Sequence, residues 1–372
     1  MRTLALVTDA FGGYGGVSRY NQAFLRALAG LDGTTEILVV PREGEAPAHG
    51  LPAHLAQLPP TPAKSAYIAR VLSIAARRPG YDLLFCGYIT MAPLAAATAR
   101  WLGCPWWLQI HGVEAWAPRG RLVRAALPGA RLVTAVSRHT RERFLSWADL
   151  PPDRVRVLPN LLEPRFTPGP KPAHLLRRYG LDGRRVLLTV ARIDRRDRRK
   201  GVERVITALP ALRARFPDLA YAIVGDGADR PRLEALARDQ GVAGLVHFLG
   251  RIPDDELVEH YRMADLFVMP STKEGFGIVF LEAMACGLPA IGGDADGSVD
   301  PLAGSPLGRA VPPEQLADAI ARVLATPPGD ERPGTLAERF GPAAFAARLA
   351  ELTAAVAPAG QGSRNLEASR AT

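Results

Sequence analysis

Cysteine is scarce in this 372-residue chain. Cys86, Cys104 and Cys286 each sit in or beside an apolar run, with no C-x-x-C spacing and no even set. That excludes a disulfide framework and a cysteine-ligated zinc site, and a reducing cytoplasm is the expected compartment. No uninterrupted apolar stretch approaches the roughly 18 to 20 residues of a membrane span. The first strand pattern begins at Thr3, leaving no room for a signal peptide, so the expectation is a cytoplasmic protein, soluble or peripheral at the inner face of the membrane. A strict G-x-G-x-x-G fingerprint is absent, as is an acid closing the second strand, which argues against a dinucleotide cofactor. No nucleic-acid partner is expected. Charged residues make up 22% and hydrophobic ones 48%, a composition without disorder bias. The net charge of +9 is unevenly spread: residues 1 to 160 hold 18 Lys and Arg against 10 Asp and Glu, whereas the remainder is nearly balanced at 28 against 27.

What is present is alternation. Short apolar or β-branched runs recur with helical patterns between them: "TLALVTD", "EILVV", "DLLFCG", "WWLQI", "LVTAVS" and "VRVLPN", then "VLLTVA", "YAIVGD", "LVHFLG", "DLFVMPS" and "LPAIGG". Runs of this kind read as parallel strands buried on both faces. A Pro-rich break, "EPRFTPGPKP" at 163 to 172, divides them into two doubly wound α/β domains. The expected limits are 1–164, 165–335, a final helix at 336–356 and a disordered tail at 357–372. A ligand cleft between the domains is the expected site.

The stretch "KEGFGIVFLEAMACGLPAI" at 273 to 291 sets Glu274 and Glu282 around a glycine turn that opens an apolar helix. Gly275 and Gly277 allow close backbone approach, and the unpartnered N–H groups of a helix start suit an anion. The acids then need an uncharged partner. A ligand that is both a diphosphate and a polyol resolves the conflict, because carboxylates accept hydrogen bonds from sugar hydroxyls. The competing reading is an acid complementing a helix dipole and a solvated glutamate one turn on.

Arg192 and Lys200 bracket a basic loop between a strand and a helix and could meet a diphosphate. Arg195, Arg196, Arg198 and Arg199 read as solvated surface. Gly12, Gly13, Gly15 and Gly16 follow the first strand, as a phosphate-approach loop or a flexible turn. His111 ends a strand, in a structural or a functional role. The pair Asp294 and Asp296 reads as a turn rather than a metal site, and no metal is expected.

Together these blocks resemble the retaining glycosyltransferases of family 4, which have the two-domain GT-B fold with Rossmann-like domains facing across a cleft. "EGFGIVFLEAMACGLPAI" is similar to that family's E-x7-E block. "VARIDRRDRRKGVERVI", "AIVGDG", "FLGRI", "ADLFVMPS", "GGVSRY", "IHGVE" and "AVS" follow the family's order over residues 1 to about 300. The resemblance implies that Glu274 and the backbone of Gly275, Phe276, Gly277 and Ile278 meet the sugar and phosphates. It also implies that Glu282 meets the ribose, that Arg192, Lys200, Gly15 and Gly16 approach the diphosphate, that Arg251 and Ile252 lie near the base, and that His111 lies beside the reacting sugar. The terminal helix is similar to the one that crosses back to the first domain. The loop "GGDADGSVDPLAGSP" departs from the family's glycine-glycine-x-x-glutamate stretch.

The implied activity is metal-independent transfer of a hexose from a GDP- or UDP-sugar to a glycan or lipid-linked acceptor. A sugar-nucleotide epimerase, a phosphorylase or a non-catalytic sugar-nucleotide-binding subunit are the alternatives. The helix pattern at 63 to 78, with Ile68, Val71, Leu72 and Ala75 on one side and Lys64, Arg70, Arg77 and Arg78 elsewhere, is either a contact with an anionic membrane or a helix packed on its own sheet.

Overall fold

The computed structural model describes residues 1–45, 50–78, 80–326 and 335–356. The expected tail at 357–372 lies outside these residues. The chain divides into two compact units at Leu161/Leu162, with the helix Pro342–Val356 grouped with the first.

The first unit is built on a seven-stranded sheet: β1 Arg2–Val7, β2 Glu36–Pro41, β3 Leu55–Gln57, β4 Leu83–Cys86, β5 Trp106–Ile110, β6 Leu132–Ala135 and β7 Val155–Val157. All pairs are parallel, in the order β3-β2-β1-β4-β5-β6-β7. The second carries β8 Arg185–Val190, β9 Leu219–Val224, β10 Val246–Gly250, β11 Leu266–Met269, β12 Ala290–Gly293 and β13 Gly308–Val311. These are also all parallel, in the order β10-β9-β8-β11-β12-β13. Helices cover both faces, which is why central strands such as Leu4–Val7 and Leu219–Ile223 are buried throughout. The sequence reading missed β3 and β13. Both are short edge strands, and "LAQ" and "GRAV" lack the continuous apolar run that marks a central one.

The Pro-rich segment at 163 to 172 is not a free linker, because it is tied to the second unit. Arg165 donates to the Asp254 carbonyl at 2.6 Å, Arg262 donates to the Thr167 carbonyl at 2.9 Å, and Lys171 pairs with Asp265 at 2.6 Å. The last helix is likewise two: Leu336–Phe340 in the second unit and Pro342–Val356 in the first. Gly341 between them is extended (φ −72°, ψ 175°), as expected before a proline whose ring disfavours α geometry in the preceding residue.

The helix Lys64–Arg77 buries Tyr67, Val71 and Ala75, while Ile68 and Leu72 are only half-buried. Tyr67 anchors it by donating to the Val40 carbonyl at 2.9 Å. Its apolar face therefore covers its own sheet. Arg70 donates to the Pro59 carbonyl and Thr61 hydroxyl, and Arg78 pairs with Glu36. Among the described residues no helix is long and apolar enough to cross a membrane.

Candidate functional site

In an open parallel sheet, ligands bind outside the carboxyl ends of the strands where the strand order reverses. In the second sheet that point lies between β8 and β11. The loop leaving β8 carries Arg192, then a 3-10 turn Arg195–Lys200, then the helix Val202–Arg215. Gly201 joins them at φ +82°, and a Cβ there would lie 2.4 Å from the Pro270 carbonyl oxygen. Only glycine lets the loop sit against the end of β11, which sets Lys200 beside the loop that leaves that strand. Lys200 Nζ pairs there with Glu274 Oε2, both side chains largely buried.

Arg192 is 80% exposed and pairs with the buried carboxylate of Asp197 at 3.2 Å. Asp197 also pairs with Arg199, and Asp229 pairs with Arg198. Arg198 and Arg199 are thus loop anchors rather than free surface charge, whereas Arg195 and Arg196 are exposed. Burial of the acidic partners could not be read from the basic run itself.

The β11 loop turns into the helix Ile278–Ala285 at Gly277, φ +82°, where a Cβ would meet the Phe280 ring at 2.6 Å. No side chain caps this helix start and no acid lies in its first turn, so its amides stand at the positive end of the helix dipole. Gly275 and Gly277 are buried and Ile278 half-buried. Phe276 is buried with its ring edge-on to Phe340, so only its backbone is available to a ligand. Glu282 is 1% exposed and accepts from the Tyr261 hydroxyl at 2.7 Å. It is an internal acceptor rather than an exposed one. Arg251, exposed, and Ile252, half-buried, follow the carboxyl end of β10.

The sequence reading treated Asp294 and Asp296 as a plain turn. Asp294 is exposed, but Asp296 is buried and accepts four hydrogen bonds: from Ser271 Oγ at 2.9 Å, the Glu274 backbone N–H at 2.7 Å, the Ser298 N–H at 2.9 Å and Ser298 Oγ at 2.5 Å. A signal for it was available: Asp296 is the fifth residue from Gly292, where the glycine-glycine-x-x-glutamate stretch carries its acid.

In the first sheet the order reverses between β1 and β4. The loop after β1 reaches Gly15 and Gly16 at the start of the helix Gly16–Ala29; both are exposed, and a Cβ on either would meet nothing within 4 Å. His111 follows β5, and its Nε2 lies 2.9 Å from the Gly87 carbonyl oxygen after β4. A carbonyl only accepts, so Nε2 carries the proton, and burial draws the imidazole pKa below its ordinary value. The ring is edge-on to Tyr20 at 5.1 Å and roughly parallel to Tyr88 at 6.3 Å. Tyr20 is fixed by donating to Gln109 at 2.8 Å and by the Phe345 ring. Glu114, quoted in "IHGVE" without a role, accepts from the N–H groups of His111 at 2.5 Å and Gly112 at 3.1 Å.

Residues 14–166 match the family described as Glycosyltransferase Family 4, and residues 177–344 match Glycosyl transferases group 1. The chain is 39% identical over 209 residues to the GDP-mannose-dependent alpha-(1-6)-phosphatidylinositol monomannoside mannosyltransferase of Mycolicibacterium smegmatis, covering 53% of this chain and 54% of that protein. It therefore spans about half the length of that relative. The protein of the same description from Mycobacterium tuberculosis is 37% identical over 263 residues, 66% of this chain and 67% of that one. Alpha-D-kanosaminyltransferase of Streptomyces kanamyceticus is 31% identical over 66% of this chain and 67% of its own. Two solved structures show the fold: HepE of Anabaena with UDP and glucose (TM-score 0.77, 21% identity, 95% of this chain and 99% of that one), and sucrose-phosphate synthase of Thermosynechococcus elongatus (TM-score 0.72, 23%, 95% and 98%). With two parallel-sheet units, a switch-point loop pair and these relatives, the chain belongs to the glycosyltransferases of family 4, with the GT-B fold.

Proposed function

We propose that the protein is a retaining hexosyltransferase that uses a nucleoside diphosphate sugar, with GDP-mannose the first donor to test, and a lipid-linked or glycan hydroxyl as acceptor. The observation that carries this reading is the Lys200–Glu274 pair beside an uncapped helix start at a sheet switch point. Cation and amides suit a diphosphate; the carboxylate suits sugar hydroxyls. The choice of donor is supported by the mannosyltransferase relatives, which are described as GDP-mannose-dependent.

When the diphosphate arrives it takes over Lys200, and Glu274 is released to accept from the sugar. As the sugar-phosphate bond lengthens, Lys200, Arg192 and the helix amides stabilise charge on the leaving diphosphate, the kind of preorganised electrostatic term that is usually the largest. The acceptor hydroxyl enters on the same face and gives its proton to a departing phosphate oxygen. No metal is required in this scheme. His111, whose ring is held by the Gly87 carbonyl and by Tyr20, takes in this scheme the role that the family resemblance implies for it. In this scheme Glu282 accepts from a ribose hydroxyl besides Tyr261, since a carboxylate accepts on both oxygens. Association with an anionic membrane, where it occurs, rests on the basic surplus of residues 1 to 160 rather than on apolar insertion, because the Lys64–Arg77 helix spends its apolar face on its own sheet.

The test is a panel of GDP- and UDP-sugars read by thermal shift and by nucleotide release. One donor should stabilise the protein, by about 2.7 kcal/mol at a hundredfold excess over its dissociation constant, and turn over in chelator. Stabilisation by no member of the panel overturns the proposal. Binding without turnover on any acceptor favours the non-catalytic reading.

A further inference from the structure

We infer that Asp296 is a positioning residue for the transfer reaction: by holding the backbone of Glu274 it fixes where that carboxylate stands, an inference that rests on the role proposed for Glu274. Two segments meet here, the loop after β11 and the loop after β12. They touch backbone to backbone. A Cβ on Gly297 would lie 2.1 Å from the Gly275 carbonyl oxygen, and one on Gly293 would lie 2.0 Å from that of Ser271. Asp296 stitches the segments together. Its Oδ2 accepts from Ser271 Oγ and the Glu274 N–H, its Oδ1 accepts from the N–H and hydroxyl of Ser298, and the Gly297 N–H returns a bond to the Glu274 carbonyl at 2.8 Å. Glu274 is thus held on both sides of its own peptide units.

The partners call for an acceptor at both side-chain oxygens here. The Glu274 N–H at Oδ2 and the Ser298 N–H at Oδ1 can only donate, while the Ser298 hydroxyl lies within reach of both Oδ1 and the Gly293 carbonyl; only a carboxylate offers acceptor capacity on both oxygens. An asparagine would turn its NH₂ on one of the two backbone N–H groups, donor against donor. A glutamate adds a methylene where the two backbones already touch. Glu274 therefore has two anchors of different kind. Lys200 grips its carboxylate by charge and is the one a diphosphate displaces; Asp296 grips its backbone and stays. This lets the side chain exchange partners without moving the residue, which matters because small misplacements of a positioned group cost large factors in rate.

The experiment compares the full-length parent with Asp296→Asn, Glu274→Gln and the double variant. The readouts are GDP released from GDP-mannose, or from the donor the panel identifies, and calorimetric binding of the free nucleoside diphosphate. Asp296→Asn should lose roughly ten- to hundredfold in kcat, the scale of one buried donor left unmet. KM for the donor and affinity for the diphosphate should stay within about threefold. The double variant should be no slower than Glu274→Gln alone, because both act through one group. Parental kcat in Asp296→Asn, an equal loss of diphosphate affinity, or full additivity in the double variant overturns the inference. If Asp296→Asn does not fold, Ser271→Ala removes one donor to Oδ2 and should still lower kcat several-fold at unchanged affinity; parental kcat there overturns the inference equally. A parent that turns over no donor refutes the proposed function and takes this inference with it, whereas an active parent with an insensitive Asp296→Asn refutes this inference alone.

Discussion

The two units share a plan and differ in how their sites are held. Each is a parallel sheet with one switch point, and in each a carboxylate caps the backbone of a candidate site residue: Glu114, three residues on in the same loop, for His111, and Asp296, from a neighbouring loop, for Glu274. In the first unit the candidate side chain is an imidazole, packed by Tyr20 and Tyr88 and tied to a carbonyl. In the second the candidate side chains lie in ion pairs, Lys200 with Glu274 and Arg192 with Asp197. A packed neutral group keeps its geometry whether or not a ligand is bound. A paired ion must change partner when an anion arrives, so the second unit is suited to exchanging a charged ligand and the first to presenting a fixed surface.

The largest expected effect that would break this contrast is at Lys200. Lys200→Ala leaves the Glu274 carboxylate largely buried without its cation and should weaken diphosphate binding by about 2 kcal/mol or more, roughly thirtyfold. Arg192→Ala, at a mostly exposed side chain, should weaken it only a few-fold. Calorimetry with GDP and with guanosine separates the cases, since the nucleoside should bind both variants as it binds the parent. Equal losses in the two variants would mean that burial does not rank these cations. In parallel, Glu274→Gln should lower kcat by about 1.5 to 3 kcal/mol while diphosphate affinity stays near parental, because it removes a charged acceptor and no phosphate contact.

A smaller effect is set by pH. Burial lowers the pKa of His111 in the first unit and of His247 and His260 in the second. Unfolded histidine titrates near 6.5, so above that pH both states are neutral and nothing is gained or lost. As pH falls below about 6.5 the unfolded chain takes up protons that the folded chain refuses. Stability should then drop by up to about 1.4 kcal/mol per pH unit for each histidine. Denaturation series at pH 7.5 and 5.5 should show the loss, and His111→Gln should reduce it. A slope unchanged in that variant would show that the first unit's imidazole is not held neutral by its packing.

The smallest effect concerns the basic surplus. Each arginine near an anionic leaflet contributes about 1 kcal/mol, but Arg70 and Arg78 already have partners in their own unit. Flotation with anionic vesicles at low salt should be modest, lost at high salt, and reduced in the Arg70, Arg77 and Arg78→Glu triple variant. Equal flotation of variant and parent would move the contact elsewhere on the first unit.

Much of this was legible in the sequence. Eleven of the thirteen strands announce themselves as short apolar runs, because a strand covered on both faces must be apolar at every position. The glycine turn at 275 to 277 stands out as a place of close backbone approach, and the structure adds Gly201 as a second position with no room for a Cβ. The acids and cations of the second unit stand out by type and spacing. What the sequence by itself determined is therefore the layered architecture and the list of groups able to meet a sugar diphosphate. Only the tertiary structure decided which partner each group has within the protein. It buried Glu282 against Tyr261, paired Arg192 with Asp197, drew Phe276 into the core, split the terminal helix at Gly341, and turned Asp296 from a plain turn residue into an anchor for Glu274. The physical reason is that residue type fixes what a side chain can donate, accept or bury. For Glu282 and Glu274 the actual partner, Tyr261 or Asp296, comes from a segment some twenty residues away, brought within 3 Å by sheet order and helix packing that no local pattern encodes.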